Sequence, residues 1–403
     1  MSIPLNSHMY DVIIVGMGPA GASAAYELSQ HGISVLAFDK QRHPRYKVCG
    51  GGLSARIVKI LPADFLSVVE ETVHRVQFIY GDQESFLIDS PEPIAYMVMR
   101  QHFDRWLVDK ARQAGAAIRE GETVVAIGAV DQGVEVVTKQ ERYRSRLVIG
   151  ADGVMSVVAQ HCFPERRLRT IPALESEVHG ECAHAFQETP TALISLQAAK
   201  KGYGWIFPKQ QGLSLGVGEF VKGTTRPKQS FRDFIDHEPA LAGLTIPSPL
   251  GYPLPIAQAQ AYRSGQTWAG RLVHGRALLV GDAGHLVDPL LGEGIYYAVR
   301  SGQLAAQSIL QTLGQPDLHP LSEYEMLVAS EFGPEFRVAG RLGSIIYGLP
   351  RSIHRWAGHR FPEAYQRVLH RYCALLQGKE TYQSLWNRML YRLHWPLAEK
   401  PGA

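Results

Sequence analysis

Cysteine is scarce in this sequence, and long hydrophobic runs are missing. Among 403 residues the four cysteines, Cys49, Cys162, Cys182 and Cys373, form no Cys-x-x-Cys pair and have no histidine at zinc-ligand spacing. This pattern argues against a disulfide framework and against a metal site. No apolar run reaches the ~18 residues of a membrane-spanning helix, and no basic stretch followed by an apolar run predicts a signal peptide. We therefore expect a cytoplasmic protein without bound metal.

Blocks of like charge are missing as well. Lysine and arginine number 41 against 38 aspartates and glutamates, which gives a net charge of +3. Nucleic acid binding, which needs a basic surface, is therefore not predicted. The hydrophobic content of 45% is sufficient for a large core, and the length predicts two closely packed domains.

The sequence does contain a glycine motif after its first predicted strand. Residues 10–15 form a continuous apolar run, which is typical of a buried parallel strand. Gly16, Gly18 and Gly21 follow, within or just before a helix predicted from about Ala20 to His31. This order of strand, glycines and helix is the order of a dinucleotide-binding unit.

Each of these glycines has a physical reason in such a site. Gly16 permits a tight turn, Gly18 lets a pyrophosphate approach the backbone, and Gly21 lets helix and strand pack closely. The helix N-terminus offers N–H groups to the phosphates. Asp39 ends the next strand about 20 residues further on, where a carboxylate binds a ribose hydroxyl. A chance glycine-rich turn and a solvated aspartate are the alternatives, and FAD and NAD both remain open at this point.

A second glycine motif, far downstream, favours FAD. A strand predicted at 276–280 ends in Gly281-Asp282, which places a carboxylate where it can accept hydrogen bonds from a polyol such as the ribityl chain. Gly292-Glu-Gly294 then begins a helix, whose N-terminus can stabilise negative charge on a reduced flavin by up to about 2 kcal/mol. A plain strand-to-turn exit is the alternative. Because strand, carboxylate and helix start occur together, we predict FAD.

Four more segments complete the pattern. They are Lys47-Val-Cys49-Gly50-Gly51-Gly52, Arg100 with Phe103-Asp104, Gly150-Ala-Asp152-Gly153 with Ser156, and Tyr203-Gly-Trp205-Ile-Phe207-Pro208 followed by Gly216-Val-Gly218. Together with the two glycine motifs, these segments resemble the FAD-dependent geranylgeranyl reductase family of the para-hydroxybenzoate-hydroxylase-like flavoproteins. The resemblance covers nearly the first 310 residues.

The resemblance implies a mixed α/β fold. A Rossmann-like FAD-binding domain would comprise residues 8–75, 95–165 and 270–315, interleaved with an antiparallel-sheet substrate domain of residues 76–94 and 166–269. Residues 316–403 would form a helical C-terminal region.

The resemblance also implies a set of site residues. The cofactor-binding residues would be Gly16, Gly18, Ala20, Gly21, Asp39, Lys40, Cys49, Gly50, Gly51, Arg100, Val124, Asp152, Gly281, Asp282, Gly292, Gly294 and Ile295. The substrate-binding residues would be Tyr203, Trp205, Phe207, Pro208, Gly216 and Gly218. The catalytic residues would be Cys49, Tyr203 and Trp205.

The implied reaction is reduction of isolated C=C bonds in a long-chain isoprenoid by hydride from N5 of reduced flavin. Such an alkene has no carbonyl to accept negative charge, so hydride transfer needs coupled protonation in a dry, aromatic-lined tunnel. Tyr203 and Trp205 would supply aromatic faces that favour cationic character, and Cys49 would be the acid or a gate. A small apolar filler is the alternative for Cys49, and core packing is the alternative for Phe207.

The electron donor and the reaction class have alternatives too. No second Gly-x-Gly-x-x-Gly unit follows a strand, so either NADPH, the family default, binds transiently or a protein such as ferredoxin delivers electrons. A flavin monooxygenase or halogenase shares the motifs, although the halogenase segment Trp-x-Trp-x-Ile-Pro is missing. A non-catalytic prenyl-binding carrier is the third interpretation.

Two features lie outside these motifs. His285 either faces the cofactor or merely marks a helix end. Between Arg337 and Arg371 there are seven arginines and a single acidic residue, Glu363, with aromatic and aliphatic residues interspersed. This segment either rests peripherally on an anionic membrane or forms a solvated helical face.

Overall fold

A computed structural model describes residues 3–81, 84–166, 169–180, 189–220, 226–258, 271–313 and 321–394. Cys182 lies outside these ranges. The strands, in chain order, are β1 Leu5–Val15, β2 Val35–Asp39, β3 Gly52–Ser54, β4 Val69–Val73, β5 Arg75–Ile79, β6 Ser85–Asp89, β7 Ala95–Val98, β8 Ala117–Glu120, β9 Val124–Val130, β10 Gly133–Thr138, β11 Arg142–Gly150, β12 Ile171–His179, β13 Thr191–Ser195, β14 Gly202–Lys209, β15 Gly212–Glu219, β16 Leu250–Leu254, β17 Val273–His274 and β18 Ala277–Leu279.

The helices follow the same order. They are α1 Pro19–Gln30, α2 Arg100–Gln113, α3 Val157–Cys162, α4 Pro227–His237, α5 Ile295–Leu313, α6 Leu321–Ile346, α7 Arg351–Arg360, α8 Pro362–Leu376 and α9 Tyr382–His394. Within the described ranges, none of them combines the length and the hydropathy needed to cross a bilayer.

The first sheet contains the nucleotide-binding strands. Its order is β17-β18-β11-β1-β2-β8, and β1 lies in the middle with parallel neighbours on both sides. Val12, Ile13 and Ile14 of β1 are fully buried, as expected for a parallel strand covered on both faces. The carboxyl ends of β1, β2 and β11 therefore meet at one edge, which is where an α/β sheet binds ligands.

The second sheet stands beside this edge. Its order is β16-β12-β15-β14-β13-β5-β6. The strands after residue 170 pair antiparallel with one another, as predicted, while β13 also pairs in parallel with β5. A third, small sheet has the order β3-β7-β4. The predicted division into domains is not tested by this topology and stays a prediction.

The helix α5 packs against α1 at very short range. A Cβ added to Gly302 of α5 would lie 2.2 Å from the carbonyl oxygen of Ala20 in α1, so the contact requires glycine. Further along, Tyr297 of α5 contacts Phe332 and Phe336 of α6, with ring centroids 5.0 and 4.6 Å apart. Through these contacts the C-terminal helices are attached to the first sheet.

Candidate functional site

The glycines after β1 allow three backbone segments to meet. Gly16 has a φ of +97°, and a Cβ added there would lie 2.4 Å from the carbonyl oxygen of Ala151. A Cβ added to Gly21 would lie 1.9 Å from the carbonyl oxygen of Gly16. The helix α1 begins after Gly18 without a capping side chain. Its first-turn N–H groups therefore have no side-chain acceptor at the place where a pyrophosphate would bind.

Asp39 stands at the end of β2, on the same edge. Its carboxylate accepts hydrogen bonds from the backbone N–H groups of Met17, at 3.0 Å, and Gln41, at 2.9 Å. These bonds tie the end of β2 to the glycine turn. The remaining acceptor capacity of the carboxylate suits a ribose hydroxyl, as predicted from the spacing.

The sequence analysis missed Arg45, which lies directly over the glycine turn. A Cβ added to Gly18 would be 3.7 Å from its Nη2 atom. The guanidinium is also 3.7 Å from the carboxylate of Asp39 and 3.1 Å from that of Asp104. Asp104 in turn accepts both hydrogen bonds of the predicted residue Arg100, at 2.8 and 2.9 Å. Two partly buried arginines thus lie beside the predicted FAD site, and only Arg100 belongs to a motif.

The downstream glycine motif closes on the first one. Gly281 has a φ of +54°, and a Cβ added there would lie 2.9 Å from the Cβ of Ala20. The neighbouring Asp282 carboxylate accepts a hydrogen bond from the hydroxyl of Tyr252 at 2.9 Å. The amino group of Lys47 lies 3.2 Å from the centre of the Tyr252 ring. Burial, reinforced by the charge of Arg100, lowers the pKa of Lys47 to about 8.

The Gly-Glu-Gly turn ends where the second sheet begins. Gly292 has a φ of +66°, and a Cβ added there would lie 3.0 Å from the Phe220 ring and 3.5 Å from the Tyr203 hydroxyl. Gly294 precedes α5, which begins at Ile295. The turn before this helix N-terminus therefore contacts aromatic residues of the second sheet, and the role of the N-terminus beside a flavin stays a prediction.

Asp152, a predicted cofactor-binding residue, also stabilises the start of a helix. Its carboxylate accepts hydrogen bonds from the Ser156 hydroxyl, at 2.5 Å, and from the Val157 N–H, at 2.6 Å. It thereby holds the N-terminus of α3 against the end of β11.

The loop Cys49–Gly52 is clamped by a lysine that the sequence analysis also missed. The amino group of Lys209, at the end of β14, donates hydrogen bonds to the carbonyl oxygens of Gly50, at 2.8 Å, and Val98, at 3.0 Å. Burial lowers the pKa of Lys209 to about 8. The Cys49 Sγ accepts the Gly51 N–H at 3.4 Å. A lone lysine at a strand end carries no motif, so only its contacts reveal it.

Tyr203, Trp205 and Phe207 project from one face of β14 and form an aromatic wall. The Tyr203 ring stacks on Phe220 with centroids 5.3 Å apart, and Trp205 lies 6.3 Å from Phe207. Phe207 is partly buried and packs on the Cys49–Gly52 loop, where a Cβ added to Gly52 would be 3.0 Å away. The wall therefore faces the loop beside which the flavin ring is predicted.

The two trailing glycines make room for this wall. Gly216 pairs with Trp205 across β14 and β15, and a Cβ added there would lie 2.3 Å from the indole ring. A Cβ added to Gly218 would lie 3.0 Å from Phe220. Their role here is therefore to admit the aromatic rings.

One cavity of about 560 Å³ joins the two glycine motifs to the aromatic wall. Most of the predicted residues line it. Those that line it are Gly16, Gly18, Ala20, Asp39, Lys40, Cys49, Gly50, Gly51, Arg100, Val124, Asp152, Tyr203, Trp205, Phe207, Asp282, Gly292, Gly294 and Ile295. Those that pack outside its lining are Gly21, Pro208, Gly216, Gly218 and Gly281.

His285 lies outside the cavity lining. It is buried and has a left-handed φ of 53° at the end of a short 3-10 turn, Gly281–Gly284. Burial, with the charge of Arg166 nearby, lowers the pKa of His285 to about 3. It is therefore a neutral residue at a helix end, the plainer of its two interpretations.

Comparisons with known proteins agree with this geometry. The family described as an FAD binding domain matches residues 9–325. A geranylgeranyl diphosphate reductase from Rhodobacter capsulatus is 29% identical over 333 residues, which cover 76% of this chain and 77% of the relative. A menaquinone reductase from Mycobacterium tuberculosis is 29% identical over 375 residues, which cover 85% of each chain. The resemblance to geranylgeranyl reductases is confirmed.

Solved structures share the architecture. A geranylgeranyl bacteriochlorophyll reductase-like protein from Thermoplasma acidophilum has a TM-score of 0.74 at 21% identity and covers 90% of this chain and 99% of that one. A flavin-dependent brominase has a TM-score of 0.68 at 20% identity, with coverages of 97% and 100%. The predicted mixed α/β flavoprotein fold is confirmed. Because a reductase-like protein and a brominase share this fold, the fold alone does not indicate whether this chain catalyses reduction or halogenation.

Proposed function

The chain belongs to the FAD binding domain family, and on that premise we propose that it is an FAD-dependent reductase of isolated C=C bonds in a long-chain isoprenoid. The main support is one shared cavity, whose lining includes residues of both glycine motifs and Tyr203, Trp205 and Phe207. A dinucleotide and an apolar chain could therefore meet in one cavity.

The residues at the glycine end fit FAD. The uncapped first turn of α1 and the Arg45 guanidinium would hold the pyrophosphate, Asp39 the ribose and Asp282 the ribityl chain. The N-terminus of α5 would face the pyrimidine edge of the ring. When bound and reduced, FAD supplies a hydride at N5.

The residues at the other end fit an alkene that is reduced through cationic character. Aromatic faces stabilise a nearby positive charge by roughly 0.5–2 kcal/mol. Tyr203 is held rigidly, because its hydroxyl donates a hydrogen bond to the carbonyl oxygen of Leu291 and its ring stacks on Phe220. Cys49, which contacts the Arg100 guanidinium, would stand at the junction of the two ends as an acid or a gate. We propose NADPH, binding transiently, as the electron donor, with ferredoxin as the alternative.

An anaerobic single-turnover experiment tests the proposal. The flavin of the purified protein is reduced with dithionite and mixed, without oxygen, with geranylgeranyl diphosphate or a menaquinone. We expect the flavin to reoxidise and the lipid to gain two hydrogen atoms per reduced double bond in its mass spectrum. With the menaquinone, reduction of the quinone ring is distinguished from reduction of the prenyl chain by the change in quinone absorbance.

Two other results would contradict the proposal. Reoxidation that requires oxygen and inserts oxygen or halogen into the product would indicate the monooxygenase or halogenase alternative. A protein that is purified without flavin, binds none and still retains prenyl lipid would indicate the carrier.

We also propose that the protein docks peripherally on anionic membranes. The surface concerned, here called the basic–apolar surface, runs from the end of α6 through α7 into α8. Its exposed apolar side chains are Ile345, Leu349, Ile353, Trp356, Phe361 and Val368. Its exposed arginines are Arg341, Arg351, Arg355, Arg360 and Arg367. Arginine beside exposed aromatic and aliphatic side chains is the composition that binds an anionic bilayer surface.

The same region borders the cavity. The helix α8 carries Val368 on its exposed face, and it contributes Tyr372 and Leu376 to the cavity lining. A lipid substrate could therefore pass from the bilayer to the aromatic wall along one helix.

A further inference from the structure

Glu175 is a buried carboxyl group in the cavity that has no place in the motifs. It lies on β12, opposite Gly216 of β15, which is in turn opposite Trp205 of β14. Directly opposed residues project from the same face of a sheet, so Glu175 and Trp205 flank the bare backbone of Gly216. Glu175 is 2% exposed and lines the cavity. A proton-bearing group thus stands beside the aromatic wall.

The partners of Glu175 are neutral. The Tyr46 hydroxyl donates a hydrogen bond to its Oε2 at 2.9 Å, and the Ser214 hydroxyl donates one to its Oε1 at 3.1 Å. Burial raises the pKa of Glu175 to about 7, the charge of Glu177 raises it further, and these hydrogen bonds and the charge of Lys209 oppose the shift. A group that titrates near neutral pH can both give up and regain a proton during turnover.

The other carboxyl groups of the cavity lining have contacts of their own. Backbone N–H groups, tyrosine or serine hydroxyls, a threonine, or arginine hold them, and these contacts place them at the cofactor end. They are Asp39, Glu122, Asp152, Asp282 and Glu293. Among the described carboxyl groups of the lining, Glu175 therefore stands apart in its position beside Trp205.

Tyr46 connects this carboxyl group to solvent. Its side chain is 43% exposed, while its hydroxyl is hydrogen-bonded to Glu175. Burial and the negative charge of Glu175 raise the pKa of Tyr46 above its ordinary value, so the phenol keeps its proton at neutral pH. A proton from water could thus reach Glu175 without opening the cavity.

We propose that Glu175 delivers the proton to the substrate alkene and that Tyr46 returns a proton to it from solvent. The inference rests on the proposed reductase function. The π bond of the alkene breaks and two C–H bonds form, one from the hydride of reduced flavin and one from the Glu175 proton. The flavin is left oxidised and Glu175 is left as a carboxylate. The Tyr46 hydroxyl then gives its proton to Glu175 and takes one from water.

The first measurement is anaerobic single turnover with geranylgeranyl diphosphate in three variants. Glu175→Gln keeps the size and polarity of the side chain but has no transferable proton, so we expect reduction to slow by about 100-fold or more with flavin content unchanged. Glu177→Gln is the matched control, because Glu177 lies on the same face of β12 but outside this cavity lining. It should still reduce the lipid, although the loss of its negative charge lowers the pKa of Glu175. Cys49→Ala tests the competing acid.

The second measurement does not depend on turnover. Infrared spectra of the oxidised protein, recorded against pH, should show a protonated-carboxyl band that disappears near pH 7. The band should be absent in Glu175→Gln and present in Glu177→Gln.

The outcomes separate this inference from the proposed function. If the wild-type protein reduces the lipid and Glu175→Gln does so equally fast, or if Cys49→Ala alone abolishes reduction, Glu175 is not the donor and the reductase function stands. An infrared band that survives in Glu175→Gln also overturns the inference. If the wild-type protein reduces no isoprenoid, the proposed function is wrong, and this inference, which rests on it, is wrong too.

Discussion

Glycines, which have no side chain, shape the site as much as the larger residues do. Gly16, Gly21 and Gly281 bring β1, α1 and β18 within distances that no Cβ would permit, while Gly216 leaves space for the Trp205 ring. Around them the charged residues form bonds that restrict their positions, as Arg100 does with Asp104. The cavity thus depends on a few glycines at which the addition of a single methyl group should measurably weaken cofactor binding.

Gly16→Ala should abolish flavin binding. The added Cβ would lie 2.4 Å from the Ala151 carbonyl oxygen, and the φ of +97° is unfavourable for alanine. Gly32→Ala is the matched control, because Gly32 also has a positive φ, +73°, but its Cβ would meet no atom within 4 Å.

The measurement is flavin released per mole of purified protein. We expect little or none from Gly16→Ala. Gly32→Ala should retain the wild-type amount and lose only about 1 kcal/mol of unfolding free energy from the left-handed backbone. Full flavin content in Gly16→Ala would show that the turn does not bind the cofactor.

At the scale of elements, β14 carries much of the site. One face presents the aromatic wall, and the last residue of the strand, Lys209, joins the Cys49–Gly52 loop to the end of β7 through the carbonyl oxygens of Gly50 and Val98. The period-two alternation of a strand explains why Tyr203, Trp205 and Phe207 share this face. The same alternation places Lys209 on this face, but it does not explain the partners of Lys209, which are more than 100 residues away in sequence.

Lys209→Met should change how stability depends on pH. The pKa of this lysine is about 8 in the folded protein against 10.5 ordinarily. Between these values the unfolded chain binds a proton that the folded chain does not, so the free energy of unfolding rises with pH across this window. Removing Lys209 should flatten that rise, and the loss of its hydrogen bonds to the loop and to β7 should also reduce flavin content.

Urea unfolding from about pH 8 to pH 10.5, the window between the folded and unfolded pKa values of Lys209, measures this effect. Lys200→Met, in the exposed turn before β14, is the control and should leave the slope and the flavin content unchanged. Because the pKa of Lys47 is lowered in the same way, the free energy of unfolding should still rise partly with pH in both variants. An unchanged slope in Lys209→Met would mean that Lys209 is charged in the folded protein over this range.

At the scale of the whole molecule, helix α8 connects the cavity to the basic–apolar surface. The first sheet supplies the glycine motifs, the second sheet supplies the aromatic wall, and α8 lies between the wall and the surface residues. If the substrate is a membrane lipid, this arrangement places its entry on the face that is suited to the bilayer.

The double variant Ile353→Glu with Trp356→Glu should weaken membrane binding. Both side chains are exposed, at 41% and 58%, so folding should be preserved while two apolar contacts are lost and negative charge is added. We expect at least tenfold weaker co-sedimentation with phosphatidylglycerol vesicles, or about 1.4 kcal/mol. Wild-type protein should not sediment with neutral phosphatidylcholine vesicles.

Met326→Glu serves as the control. Met326 is 62% exposed on the same helix as Ile345 but about 28 Å from it along the axis, so its replacement should not alter sedimentation. Equal binding of the double variant, or binding that ignores lipid charge, would remove the docking proposal.

Local sequence determined the fold class and much of the cofactor site. A glycine that must adopt a positive φ, an acid at a strand end and a helix start are each encoded within a few residues, and the resemblance added the aromatic segment. Only the tertiary structure clamped the loop with Lys209, placed Arg45 over the glycine turn and set Glu175 beside Trp205. These contacts join residues far apart in sequence, and their physical basis is burial and charge in the folded state, which no local pattern reports.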